Sequence, residues 1–192
     1  MRLIPPDIAE VRAARAGNSE ALQDLMARAL PCVLQWCARL GGPRVDAEDA
    51  AHDVIVVVLT RIHTLAEPEL FGPWLFGITR RVLAGHRRRR MFESWIPGLA
   101  RTGPESDPHA QAELSDLGRQ VQLALDAVSV DHREILVLID IEERTEREVA
   151  DLLSLPIGTV RSRVHRARQA FLAVARRLQL PAVVFERVRE GS

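Results

Sequence analysis

A chain of 192 residues that is 47% hydrophobic, with 4% aromatic residues and no tyrosine, fits one or two small helical domains, each with a modest core. Its 26 basic and 26 acidic residues cancel, so the net charge excludes neither a nucleic-acid nor a protein partner, and the distribution of charge decides. No stretch approaches the roughly 20 apolar residues of a membrane span, and the start M-R-L-I-P-P-D lacks the apolar core of a signal peptide, so a cytoplasmic location is expected.

In chain order, hydrophobic periodicity predicts helices over Ile8 to Ala16, Ser19 to Leu40, Ala47 to Ile62 and Pro73 to Arg90, punctuated by Gly17-Asn18 and Gly41-Gly42-Pro43. Asn18 or Ser19 can cap the second helix, whose inward stripe is Leu22, Leu25, Met26 and Ala29; Pro31 should kink or interrupt it. Cys32 and Cys37 lie about 140° apart around that helix, too divergent for an easy disulfide and without zinc-site spacing, so buried free thiols are expected. The third helix opens with Asp46, Glu48, Asp49, His52 and Asp53 and turns Ala51, Val54, Ile55 and Val58 inward. That leaves an acidic ridge favoured by the helix dipole. The fourth joins an apolar face, Trp74, Leu75, Ile78, Val82 and Leu83, to Arg80, Arg81, Arg87, Arg88, Arg89 and Arg90.

From about Glu93 to Ser115 periodicity stops, and Pro97, Gly98, Gly103, Pro104, Ser106 and Pro108 mark a linker. Its apolar cluster of Trp95, Ile96 and Leu99 is expected to fold back on a domain. Asp131 to about Ile141 then reads as a helix carrying Ile135, Leu136, Leu138 and Ile139. Thr145 and Glu148 form a capping box ahead of Val149, Leu152 and Leu153. Proline and glycine around Ile157 favour a turn, Thr159 is expected to cap the next helix, and no breaker follows before Pro181. On that helix Val160, Val164, Ala167 and Phe171 form the buried stripe, and Arg161, Ser162, His165 and Arg166 share the opposite face. Two short helices and a tight turn make a helix-turn-helix, whose arginines can grip guanine O6 and N7 in a major groove.

Charge is segregated along the chain in a way that suits this reading. Between Glu69 and Glu93 there are six arginines and no acid, and the same holds between Asp151 and Glu186. The compensating acids gather at Asp46 to Asp53 and Asp131 to Asp151, surfaces fit to meet a basic protein. Every basic residue is arginine, which reads mainly as a coding bias and also favours bidentate contact with phosphate and guanine.

The run L-x-x-V-S-V-D-H-R-E-I-L-V-L, then T-E-R-E-V-A-D-L-L, then G-T-V-R-S-R-V-H-R-A-R resembles region 4 of an extracytoplasmic-function RNA polymerase sigma factor. D-A-E-D-A-A-H-D-V-I, preceded by R-A-G-N-S-E-A-L and followed by F-G-P-W-L-F-G-I-T-R-R, is similar to region 2. The resemblance covers nearly the whole chain, with the motifs in the family's order. It implies an all-α fold: a region 2-like domain over 1–92, a flexible linker over 93–115, a region 4-like helix-turn-helix domain over 116–180 and a tail over 181–192. It implies minus-35 contacts by Thr159, Arg161, Ser162, His165 and Arg166, and minus-10 contacts by Arg80, Arg81, Arg87 and Arg88, with a base pocket in the loop His63 to Phe71. Asp49, His52 and Asp53 become contacts to core RNA polymerase, whose beta-prime clamp and beta subunit are the implied partners together with promoter DNA and an anti-sigma factor. Four positions depart from the pattern. Ser129-Val130 stands where the family usually has Leu-Pro, Arg81 where asparagine is common and Gly85 where aspartate is common, so phosphate holding at minus 10 should outlast base discrimination.

No Gly-rich phosphate loop, metal-spaced histidine cluster or nucleophile with an orienting base is present, so no catalysis, cofactor or metal is expected. Two other readings stay open on the residues. One is a free-standing dimeric regulator that binds a palindrome without polymerase; the other is a decoy that titrates an anti-sigma factor. The tail after Gln179 suggests no function.

Overall fold

The computed structural model describes residues 7–93 and 116–182, and every regular element among them is helical. The linker cluster Trp95, Ile96 and Leu99 and nearly all of the tail lie outside the described residues. The chain divides into two compact units, Met1–Pro104 and Glu105–Ser192.

In the first unit, α1 (Ile8–Arg15) starts on Asp7, whose side chain accepts from the Ala9 amide at 2.9 Å. It ends where Gly17 takes a positive φ of 97°, a conformation that costs glycine little. Asn18 then caps α2 (Ser19–Gly41) by accepting from the Ala21 amide at 3.0 Å. Of the kink or interruption expected at Pro31, the interruption does not occur, and α2 runs through it. Ala27 and Pro31 both face solvent, so the Ala27 carbonyl that loses its amide partner is open to water. Meanwhile Met26, Ala29, Cys32, Val33, Trp36 and Cys37 are buried on either side of the proline and favour a continuous helix.

Asp46 accepts from the Glu48 and Asp49 amides, both at 3.0 Å, and so starts α3 (Ala47–Arg61). Ala50, Ala51, Val54 and Val58 are buried beneath it, whereas Ile55 is only half-buried. Two short 3₁₀ turns, Ile62–Thr64 and Pro68–Leu70, lead into α4 (Phe71–Glu93). This helix begins before the expected Pro73 because a proline in the first turn lacks only an amide that would have had no partner. Helix α2 packs against α1, α3 and α4, and the Trp36 and Phe76 rings meet edge to face at 4.8 Å between α2 and α4. Both cysteines are free and buried, as their spacing suggested, and burial pushes the Cys37 thiol up to about 12.

The second unit comprises α5 (Asp116–Asp126), α6 (Val130–Leu136), α7 (Glu146–Leu153) and α8 (Ile157–Arg177). Ser129, one of the departures from the usual Leu-Pro, caps α6 by accepting from the His132 amide at 3.3 Å. The single helix expected to Ile141 changes to a π turn over Val137–Ile141, within which Asp140 meets Arg168 of α8 at 2.7 Å. Arg133 is buried and donates to the Leu125 and Asp126 carbonyls at 2.8 and 3.0 Å, closing the C-terminal end of α5. Desolvation by burial lowers the Arg133 pKa and raises that of its partner Asp126, each partly offset by the charge of the other.

The capping box on α7 is fully formed, with the Thr145 hydroxyl and the Glu148 carboxylate exchanging bonds with each other's backbone amides. Between α7 and α8, Ser154 is left-handed at φ 54°, and Pro156 is the extended residue that begins α8. Thr159 is therefore not the cap. It lies inside the first turn, with its amide already bonded to the Pro156 carbonyl at 2.9 Å. The glycine before it did not delay the helix, since Gly158 sits within α8.

Candidate nucleic-acid interface

Helix α8 presents two opposed faces. Val160, Val164, Ala167, Phe171, Leu172 and Ala175 are buried, packing this helix on α5, α6 and α7. Arg161, Ser162, His165 and Arg166 are all exposed on the other side. The Ser162 hydroxyl donates to the Thr159 carbonyl at 3.0 Å, and Arg166 Nε donates to the Ser162 carbonyl at 3.2 Å, which lays Arg166 along the helix. Arg161 Nε donates to Glu146 Oε2 of α7 at 2.7 Å, with side-chain exposures of 65% and 39%. No side chain caps the α8 N-terminus. The Thr159 and Val160 amides bond the Pro156 carbonyl, which leaves the amides of the exposed Ile157 and Gly158 as the first-turn donors beside these side chains, an arrangement that attracts anions. Arg168 belongs to the same basic block but is buried against Asp140, so the block is not uniformly a phosphate surface.

In the first unit, Arg80, Arg81, Arg88 and Arg89 are exposed on α4. Arg87 is half-buried, and its Nη1 donates to the Leu40 carbonyl at 3.1 Å, committing part of its donor set to the end of α2. Gly77 and Ala84 share the face of Arg80, Arg81, Arg87 and Arg88 by helical spacing, so the arginines flank a low floor. A Cβ built on Gly85 meets nothing within 4 Å, so glycine there is not required by packing. At the loop between α3 and α4, a groove is lined by Ala66, Glu67, Pro68 and Glu69 on one side and by Arg12, Arg15 and Ala16 on the other. Arg15 donates to the Ala66 carbonyl at 2.8 Å, and Arg12 approaches Glu69 at 3.6 Å. The family resemblance pointed to the loop that forms one wall of this groove; the wall from α1 had no local signal, because its partners lie about fifty residues away.

Asp49, His52 and Asp53 are exposed together on α3, as their spacing required. Two features of that ridge were not foreseen. Val56 and Leu59 continue it as exposed apolar residues. His86 of α4 also bonds Asp53, Nε2 to Oδ2 at 2.8 Å, with side-chain exposures of 13% and 51%. Among the described residues no group of three or more potential metal ligands assembles, and no helix is long and apolar enough to cross a membrane.

Two family models match this chain: Sigma-70 region 2 over residues 17–93 and Sigma-70 region 4 over residues 118–171. ECF RNA polymerase sigma factor SigC of Mycobacterium tuberculosis is 30% identical over 166 residues, covering 84% of this chain and 87% of that protein. SigE of Mycolicibacterium smegmatis is 34% identical over 141 residues, covering 71% of this chain and 54% of that protein. Among solved structures, RpoE of Bartonella quintana, in complex with the anti-sigma factor NepR, superposes with a TM-score of 0.63 at 25% identity over 80% of this chain and 96% of that one. CnrH in complex with the cytosolic domain of CnrY shares the fold, with a TM-score of 0.61 at 24% identity over 88% of this chain and 96% of that one.

Proposed function

The chain belongs to the extracytoplasmic-function family of RNA polymerase sigma factors, and from that premise we propose how its residues divide the work of promoter-specific transcription initiation. The protein is not an enzyme; the polymerase supplies the chemistry. The observation that carries the assignment is the α8 face, where Arg161, Ser162, His165 and Arg166 stand exposed opposite a fully buried stripe. That face enters the major groove of the minus-35 element, and the Thr159 side chain with the Ile157 and Gly158 amides meets a phosphate at its edge.

The first unit holds the minus-10 region. Arg80, Arg81 and Arg88 attract the strand backbone, Arg87 braces the same row, and the groove between α1 and the Ala66–Glu69 loop receives an extruded base. Arg81 and Gly85 leave that surface neutral or positive, which favours phosphate over base identity. Asp49, His52 and Asp53, with Val56 and Leu59 beside them, form the face for the beta-prime clamp of core polymerase, with the beta subunit as the second contact. The domains follow 1–92 and 116–180, joined by 93–115. An anti-sigma factor covering the polymerase-facing surface, as such factors accompany the solved relatives, and a cytoplasmic location complete the proposal.

Each unit has a short footprint, so each binds DNA weakly alone; once one is fixed on polymerase, the other binds as an intramolecular event. Reconstituted transcription with core enzyme and a randomised promoter library tests this. Enrichment of two elements at fixed spacing, dependent on core enzyme, is expected. Tight binding to a symmetric operator without polymerase would overturn it.

A further inference from the structure

We propose that Glu146, on the first helix of the helix-turn-helix, is a specificity-determining residue: it orients Arg161 so that one edge of the guanidinium addresses a single base pair. The inference deepens the minus-35 reading of α8 and rests on it. Glu146 is the first residue of α7, and its backbone is fixed by the capping box that Thr145 and Glu148 form around it. Because Glu148 serves that box, the Glu146 carboxylate is released to reach across the turn, where its Oε2 accepts from Arg161 Nε at 2.7 Å. The bond engages Nε and leaves Nη1 and Nη2 uncommitted on a side chain that is 65% exposed, and Glu146 is the sole partner of Arg161 among the described residues. An arginine on an exposed helix ordinarily samples many rotamers. One held at Nε by a carboxylate keeps the planar fork that a guanine O6 and N7 pair requires, and loses less freedom on binding. The same hydrogen bond and charge raise the pKa of Arg161.

The carboxylate has a second effect of opposite sign. A negative charge beside the groove repels phosphates, so it weakens binding to every sequence while sharpening the choice among them. An arginine brace that only stabilised the fold would have no such signature.

The test uses the full chain assembled with core RNA polymerase on promoters randomised across the minus-35 element, comparing Glu146→Gln, Arg161→Ala and the double variant. Glu146→Gln should lower the preference at one base position by roughly 3- to 10-fold while binding to scrambled DNA holds or tightens. Arg161→Ala should erase the preference at that same position, and adding Glu146→Gln to it should change no preference further. If Arg161→Ala erases a preference that Glu146→Gln leaves intact, or if Glu146→Gln lowers thermal stability and shifts all sequences equally, the orienting role is refuted and the minus-35 reading stands. If Arg161→Ala alters no position, the minus-35 reading falls and the orienting role with it.

Discussion

Arg161 and Arg166 both stand on the exposed side of α8 yet are held differently, one by a carboxylate of another helix and one by the backbone carbonyl of Ser162. Replacing either with alanine should cost on the order of 1–3 kcal/mol of minus-35 discrimination and leave polymerase affinity unchanged. Equal loss on scrambled DNA would reduce them to phosphate contacts. Asp49→Arg should weaken binding to core enzyme in a fluorescence titration, since it inverts the charge of the exposed α3 ridge. Cys37 has its thiol pushed up to about 12 by burial, and Cys32 is also buried on α2. Both should resist a thiol reagent in the folded protein and react fully after unfolding. Rapid labelling of the native chain would reopen a redox role. At Gly85 an added Cβ meets open space, so Gly85→Ala should raise stability by about 0.5–1 kcal/mol through helix propensity, read as an increased Tm.

For whole elements, periodicity and caps read the helices well because their causes are local. Asn18 and Thr145 each sit at the N-cap their side chains suit, and the α8 stripe from Val160 to Phe171 is buried as its spacing demands. The failures have physical reasons of the same size. Thr159 had the chemistry of a cap, but a proline two residues before Gly158 had already set the extended backbone that starts the helix. Pro31 did not interrupt α2, because the buried residues around it outweighed one missing hydrogen bond at an exposed turn. The π turn over Val137–Ile141 has no composition signal, because what distinguishes it is the contact of Asp140 with Arg168, twenty-eight residues on. Thr145→Ala removes a cap that local sequence did predict. It should cost about 0.5–2 kcal/mol in denaturant unfolding followed by circular dichroism.

Across the molecule, a net charge of zero conceals the separation of an acidic ridge on α3 from arginine-rich faces on α4 and α8. Which acids pair with which basic side chains was not legible. Asp53 with His86, Asp140 with Arg168 and Glu146 with Arg161 are joined only by the fold. The family resemblance supplied what the local signals lacked, the assignment of each exposed face to a partner. Salt should test the division: raising ionic strength ought to weaken promoter binding steeply in a filter-binding series, with a shallower slope for the Arg80→Ala and Arg88→Ala double variant.

The turn between α7 and α8 leaves little slack. Ser154 is locked in a left-handed backbone and Pro156 has its φ fixed by its ring, so the two helices are rigged as a single tool before any DNA arrives. The cost of aligning the reading edge is thereby met when the protein folds, and docking need only bring the finished shape to the groove. Splicing one glycine in after Leu155 would loosen that rigging, and the promoter library would register it as blurred choice with polymerase affinity intact.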